Sequence, residues 1–266
     1  MSRIAAIDAA LVDPALIDAA PIGVAVVWGA VAGASLPRAV HRFSVPLPPE
    51  EEGPPPGWHR ACPRGHPLRG WLGPARCPDC TGTVTRYGPR VPLLATVTAL
   101  VCALLAAATG PRPELAVWLL LAPVGVLLAA VDLRVRRLPD PLTLPLAAAA
   151  LALLGVAALL PEHAGDWTTA LLGSLALSAG YLVLHLLNPG GMGFGDVKLA
   201  LGAGAVLGWY GWATVMLGTF AGFLLGALYG GALLVTGRAG RRTAVPFGPF
   251  LVTGTYLGLL IGAYAA

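Results

Sequence analysis

Charged side chains are scarce in this chain of 266 residues. Asp, Glu, Lys and Arg make up 11% of it, whereas a soluble domain usually carries about 25%. This shortage excludes a soluble globular protein. The 56% of hydrophobic residues fall mainly into eight apolar runs, at about 20–38, 91–109, 114–133, 141–160, 167–187, 197–208, 211–236 and 246–265. Since a spanning helix needs about 20 apolar residues, the sequence predicts an all-α polytopic membrane protein with about eight transmembrane helices in a lipid bilayer.

The sixth run is shorter than the others and rich in glycine, so that helix is expected to be broken or tilted. Trp209, Tyr210 and Trp212 follow it and are expected to form an aromatic belt at the external membrane interface.

A basic N-terminal region is also missing. The first residues carry Asp8, Asp13 and Asp18 instead, which excludes a cleavable signal peptide and predicts that the first apolar run is retained as a signal anchor.

The net charge of +4 does not indicate a nucleic-acid partner, because its distribution fits a membrane topology. With the N-terminus external, fifteen of the seventeen basic residues fall in internal loops, and only Arg3 and Arg112 fall outside. Loops that face the cytoplasm collect Lys and Arg. The pattern predicts a multi-pass protein of the inner (plasma) membrane with both termini external.

Cysteine is limited to four residues. Cys102 lies inside an apolar run and is expected to pack there, whereas the other three lie in 39–90, the only sizeable polar segment. In a reducing cytoplasm, thiols more often bind metal than form disulfides. Cys77-x-x-Cys80 is a half-site for tetrahedral zinc, and Cys62 with His66 would complete a structural Cys3His site in this cytoplasmic loop domain. The alternative is that Cys62 and His66 do not converge with the other pair. His41 and His59 are expected to be solvated.

Two aspartates stand out at the ends of apolar runs. Asp132 ends the third run, on the apolar side of an arginine cluster, and Asp196 lies in the glycine-rich start of the sixth. Charged groups at membrane depth are costly and tend to be functional. Two carboxyl groups that share a site can hydrolyse a peptide: one takes a proton from water while the other, protonated, polarises the scissile carbonyl. The alternative is that each aspartate only anchors a helix end.

The neighbours of these aspartates are candidates for supporting the site. Gly193 and Gly195 would permit close backbone approach to an extended substrate, or ordinary helix packing. Lys198 would favour an ionised Asp196 or bind lipid phosphate, unless it is only a snorkelling interface residue. Pro139 would start the fourth helix, and Asp140 fits an N-cap.

Two other functions are compatible with the same acids. A membrane transporter could use Asp132, Asp196 and Lys198 as an ion relay. Such a protein should place its acids near the midplane between repeated halves, yet both acids lie at one predicted face and the chain has no long tandem repeat. A catalytically silent scaffold of a pilus or secretion machine is the other reading.

Several motifs, taken in order, resemble the type IV prepilin peptidases, which are membrane aspartyl proteases of the GxGD type. The matching stretches are Gly29-x3-Gly33-Ala-Ser35, the cysteine-bearing loop, Arg86-Tyr87 with Pro92, Asp132-Leu-x4-Leu138-Pro139-Asp140, Gly193-Phe-Gly195-Asp196-Val-Lys198, and Val245-Pro-Phe-Gly-Pro-Phe250. They extend over nearly the whole chain, and the last three together are very specific.

The resemblance implies that Asp132 and Asp196 are catalytic. It also implies cleavage of the leader of type IV prepilins or pseudopilins at the cytoplasmic face, after a glycine and just before a hydrophobic stem. The peptidase needs no cofactor. Many members also methylate the new N-terminus with S-adenosylmethionine. Here Gly65 occupies the position of a family cysteine, so the resemblance does not decide whether this chain has the methyltransferase activity. The expected parts are 1–38 (external N-terminus and first helix), 39–90 (diverged methyltransferase-like loop) and 91–266 (peptidase membrane domain).

Overall fold

The structure is a computed structural model that describes residues 14–45, 57–80, 86–237 and 246–266. These residues form eight α-helices and no β-strand. The helices are α1 (Pro14–Phe43), α2 (Val91–Thr109), α3 (Glu114–Val135), α4 (Asp140–Ala157), α5 (Trp167–Leu187), α6 (Phe194–Gly208), α7 (Trp212–Val235) and α8 (Gly248–Ala265). The predicted all-α class is confirmed for the described residues. Arg3, Asp8, Asp13 and Val245 lie outside them.

Seven of these helices are long and apolar enough to cross a membrane, which makes the chain a multi-pass membrane protein. The exception is α6, which has 15 residues and therefore a length of about 22 Å. It is one continuous helix, so the expectation that this run is broken is wrong. Its length is limited by the loop at Gly193 and by the turn at Trp209.

Small residues bring the helices into backbone contact. Gly204 of α6 lies against Gly173 of α5, and a Cβ at either glycine would collide with the backbone of the other helix. Gly29 and Gly33 of α1 meet the backbone of α2 in the same way. In lipid, where apolar surface alone gives little driving force, such close approach supplies the packing energy that joins helices.

The core of the bundle lies around α6, which contacts α4, α5, α7 and α8. Nearly every residue of α6 from Asp196 onward is buried. Trp209, which follows it, is 1% exposed, and the expectation that it belongs to an interfacial belt is therefore wrong. The N-terminus of α6 thus carries Asp196 into the protein interior.

Candidate active site and metal centre

Asp132 lies in the last turn of α3 and is 4% exposed. Its Oδ2 accepts a hydrogen bond of 3.0 Å from the backbone N–H of Gly248, the first residue of α8. The partial positive charge at a helix N-terminus favours a carboxylate there. The N-terminus of α8 therefore fixes the position of Asp132 from a point 116 residues away in sequence.

Asp196 lies in the first turn of α6 and is 7% exposed. Its Oδ2 accepts a hydrogen bond of 3.1 Å from the backbone N–H of Gly193, the N-cap of the same helix. This bond reproduces the acidic half of a capping box, in which the third helical side chain reaches back to the cap. The glycine-rich motif therefore builds the helix start that holds Asp196.

The two carboxyl groups lie close enough for a direct charge–charge interaction. Each uses Oδ2 for a backbone N–H, and within the described part of the chain neither Oδ1 accepts a hydrogen bond. The predicted convergence of Asp132 and Asp196 is thus present in the structure. Two carboxyl groups arranged in this way are equipped for general acid–base chemistry.

The supporting residues occupy distinct places around this pair. Pro139 is the N-cap of α4, and Asp140, which was expected to be the cap, is the first helical residue. Gly195 packs against Leu138, where an added Cβ would lie 3.0 Å from the Leu138 Cβ. Gly193 is therefore part of the cap that holds Asp196, whereas Gly195 allows the loop before α4 to approach α6.

Lys198 points away from Asp196. Its Nζ forms an ion pair of 2.6 Å with Asp140 Oδ2 and lies 4.9 Å from the centre of the Phe194 ring. Asp140 is 57% exposed, so the pair lies at the edge of the site and joins α4 to α6. Asp196 is thus not the counter-ion of Lys198 in this structure.

Tyr181 of α5 is a site residue that the sequence did not indicate. It is 1% exposed, and among the described residues its hydroxyl has no hydrogen-bond partner. The ring packs against Phe223 and Phe247, with centroids 5.6 and 6.0 Å away, and the hydroxyl lies within electrostatic reach of Asp196. A tyrosine inside a long apolar run was the only available signal.

The candidate metal centre lies in the loop between α1 and α2. Cys62, His66, Cys77 and Cys80 each offer one ligand atom, and these four atoms lie within 4.8 Å of one another. The His66 Nδ1 is 3.3–3.6 Å from the three sulfurs, and the sulfurs of Cys62 and Cys80 are 3.7 Å apart. A tetrahedral zinc ion, with Zn–S bonds of about 2.3 Å and Zn–N bonds of about 2.0–2.1 Å, separates its ligands by about 3.5–3.8 Å. The residues therefore fit a metal ion.

Gly65 has a structural role in this centre. Its φ of +85° turns the chain back, so that its N–H donates to the Cys62 carbonyl at 2.8 Å and the Cys62 N–H donates to the His66 carbonyl at 2.9 Å. A glycine adopts this conformation without strain. The turn presents His66 as the fourth ligand, next to Cys62.

The thiols of the centre differ in pKa. Burial raises the pKa of the Cys80 thiol to about 11, with the neighbouring Cys77 and Cys62 acting in the same direction. Burial also acts to raise the pKa of Cys62, but hydrogen bonds from the backbone N–H groups of Arg64 and His66 outweigh it and lower that pKa to about 6. Three thiolates in one small space repel each other, and a divalent cation would remove that repulsion.

The loop is fastened to the end of α1. The Arg42 guanidinium, which is buried, donates to the carbonyls of Gly70, His59 and Leu68 at 3.0, 3.3 and 2.7 Å. Arg38 donates to the Arg69 carbonyl at 2.7 Å. The candidate metal centre and the C-terminal end of α1 therefore form one unit.

His41 and His59 also belong to this unit. His41 is buried, and its ring stacks on that of His59 with centroids 4.9 Å apart. The expectation of a solvated residue is wrong for His41, because the loop folds back onto α1, whereas His59 is half-buried.

Comparison with known proteins agrees with this arrangement. The family model described as the type IV leader peptidase family matches residues 115–231, which include both aspartates. A prepilin leader peptidase/N-methyltransferase of Burkholderia pseudomallei (strain K96243) is 30% identical over 274 residues, covering 89% of this chain and 84% of that protein. The chain belongs to the type IV leader peptidase family.

Other members of the family are similarly close. The proteins of the same name from Pseudomonas aeruginosa (strain PAO1) and Aeromonas salmonicida (strain A449) are 32% and 35% identical over 221 and 205 residues. The matches cover 76% and 74% of this chain, and 71% and 66% of those two proteins. No solved structure matches the chain.

Proposed function

We propose that this protein is a membrane-embedded aspartic endopeptidase that removes the leader of type IV prepilins or pseudopilins. The observation that carries the proposal is the meeting of Asp132 and Asp196. The two residues come from α3 and α6, and each is held through one oxygen by a backbone N–H, with the other oxygen left for substrate and water. The names of the relatives support the choice of substrate.

In the proposed reaction, the two carboxyl groups share one proton, because like charges held close together do not both ionise readily. The ionised carboxylate takes a proton from a water molecule, whose oxygen attacks the scissile carbonyl. The protonated carboxyl donates a hydrogen bond to the carbonyl oxygen and then helps to protonate the leaving amine. No metal or cofactor takes part.

The loop centre has a separate role in this proposal. A zinc ion held by Cys62, His66, Cys77 and Cys80 would have a structural role. It would order the loop that is hydrogen-bonded to α1. The ligand distances support zinc. The printed names of the relatives support a second activity, N-methylation of the new N-terminus with S-adenosylmethionine. The division into 1–38, 39–90 and 91–266 remains a prediction.

The orientation also belongs to the proposal. The basic loops favour an inner membrane protein with an external N-terminus and with the aspartate pair at the cytoplasmic face. The ion-relay transporter and the silent scaffold gain no support from the three relatives named above, which carry the name of an enzyme.

Co-expression with a type IV prepilin tests the peptidase. The wild-type protein should cleave the prepilin, which then migrates at the electrophoretic mobility of the mature pilin. Asp132→Asn and Asp196→Asn should insert in the membrane but leave the prepilin uncleaved. Glu162→Gln, an exposed acid in the α4–α5 loop, serves as the matched control and should cleave normally. Near-normal cleavage by either aspartate variant would contradict the two-aspartate mechanism. Mass spectrometry of the mature N-terminus reads the methylation in the same sample.

A further inference from the structure

A large apolar groove lies beside the aspartate pair, between α2, α3, α6 and α8. Its volume is about 600 Å³. It opens sideways between the helices, because side chains on its rim are exposed: Leu93 by 57%, Val97 by 39% and Leu133 by 64%. This lateral groove therefore faces the lipid.

The lateral groove continues from the candidate active site. Ala129 lines it three residues before Asp132, and Leu199 lines it three residues after Asp196. Since residues three apart lie on neighbouring parts of one helical face, these two positions are one turn deeper in the membrane than the carboxyl groups. Leu251, three residues after Gly248, lines it in the same way from α8. A chain that passes the two aspartates and enters the membrane therefore meets this groove.

The dimensions of the lateral groove suit a helix. It extends along α3 from Trp118 to Arg134, a distance of about 24 Å at about 1.5 Å per residue. The hydrocarbon core of a bilayer is about 30 Å thick. A helix bound along the groove would thus stay beside this protein through most of the membrane.

The floor of the lateral groove contains a glycine that the packing of this chain does not require. A Cβ added at Gly125, which is half-buried, would meet only Val252, at an ordinary 3.7 Å. The glycines of the α5–α6 contact, in contrast, leave no room for a Cβ. Small residues in a membrane groove let another helix approach closely.

Among the described residues that line the lateral groove, one carries a charged side chain: Arg134, at the end of the groove nearest the aspartate pair. A cation at that position repels Lys or Arg on a bound helix, since charges in low dielectric interact strongly. The rest of the lining is almost entirely apolar. The surface thus fits an uncharged helix, and it selects against a basic one.

We propose that the lateral groove binds the hydrophobic stem that follows the scissile bond of the substrate. This inference rests on the proposed function, and it adds the place where the substrate is recognised. The stem packs its backbone against Gly125, and this contact places the bond to be cut between Asp132 and Asp196.

Filling the lateral groove tests the proposal. Val97→Trp places a large ring in it from α2, a helix that carries no residue of the aspartate site. We expect the KM for a full-length prepilin to rise by about tenfold or more with kcat retained, because ground-state binding is lost. A peptide that carries the leader and ends a few residues after the scissile bond should be cleaved as by wild type. Leu100→Trp, at an exposed position of α2 outside the groove, is the matched control and should leave both reactions unchanged.

Crosslinking gives a reading that does not depend on cleavage. A photoreactive side chain at position 97 in the Asp196→Asn protein should capture the stem of a co-expressed prepilin, and the same group at position 100 should not. Three results would overturn the proposal. Val97→Trp could retain the wild-type KM for prepilin, or it could lose activity equally on prepilin and on the peptide. The photoreactive group at position 97 could label lipid alone. A wild-type protein that cleaves neither substrate would instead refute the peptidase, and the crosslink would still decide what occupies the groove.

Discussion

Gly248 and Asp132 are in contact across the bundle. The backbone N–H of Gly248 donates to Asp132 Oδ2, and a Cβ built at Gly248 would lie 2.7 Å from that same oxygen. The absence of a side chain at Gly248 is therefore what allows the start of α8 to hold the carboxylate.

Gly248→Ala should displace Asp132, because the new methyl group and the carboxylate oxygen would occupy the same space. A hydrogen bond to a charged group contributes about 1.5–3 kcal/mol, so we expect kcat to fall by roughly ten- to a hundredfold. Gly230→Ala is the control, since a Cβ there meets nothing within 4 Å. Cleavage of prepilin over time measures both variants. Normal turnover by Gly248→Ala would show that this contact does not position Asp132.

Tyr181→Phe should slow cleavage without weakening substrate binding. The change keeps the ring between Phe223 and Phe247 and removes only the buried hydroxyl near Asp196. If that hydroxyl hydrogen-bonds the reacting groups, kcat should fall by about tenfold or more while KM stays constant. Tyr229→Phe, which alters an exposed tyrosine of α7, should have no effect. An unchanged kcat in Tyr181→Phe would limit the role of Tyr181 to packing.

Lys198→Ala should reduce cleavage only slightly. Its partner Asp140 is 57% exposed, and ion pairs of this kind contribute about 0–1 kcal/mol, less than about a fivefold change in rate. Asp140→Ala should cause a similar loss, and the double variant should lose no more than either single one. A loss a hundred times larger in Lys198→Ala alone would indicate that Lys198 acts on Asp196 or on the substrate.

Removal of the metal should loosen the loop and leave the helices in place. Purified protein should contain about one zinc ion per chain, measured by elemental analysis, and Cys77→Ser should lose it. Without the metal, the carbonyls that hold Arg38 and Arg42 are no longer fixed, so proteolysis should cut within residues 57–80. His66→Cys replaces the imidazole by a thiolate, keeps four zinc ligands and should retain zinc. Asp79→Asn, between two ligands, should behave as wild type. A loop that resists proteolysis in Cys77→Ser would show that the hydrogen bonds to α1 suffice.

The sequence predicted the number of helices because each needs a long apolar run, and such runs are visible without any tertiary information. It also singled out Asp132 and Asp196, since ionisable groups at the ends of such runs are rare. The hydrogen bonds that hold the two aspartates differ in how far they can be predicted from the sequence. The bond to Gly193 is local and follows from the start of α6, whereas the bond to Gly248 joins distant parts of the chain.

Other features depended on packing that the sequence does not encode locally. The helices are apolar around most of their circumference, so no periodicity reveals which face is buried. For that reason Trp209, expected at an interface, is in the core, and Tyr181 was not recognised as part of the site. His41 is buried because residues 57–80 return to α1. The spacing of residues in the sequence predicts neither the packing of residues 57–80 against α1 nor the ion pair between Lys198 and Asp140.

The short length of α6 has a consequence for hydration. At about 22 Å it is roughly 8 Å shorter than the hydrocarbon core of a bilayer. If its last turn lies near one membrane surface, its first turn lies beneath the opposite boundary of the lipid, and the bilayer must thin there or admit solvent. We therefore expect a local depression filled with water above Asp196, through which water and a polar peptide segment would reach the carboxyl groups without crossing the hydrocarbon core.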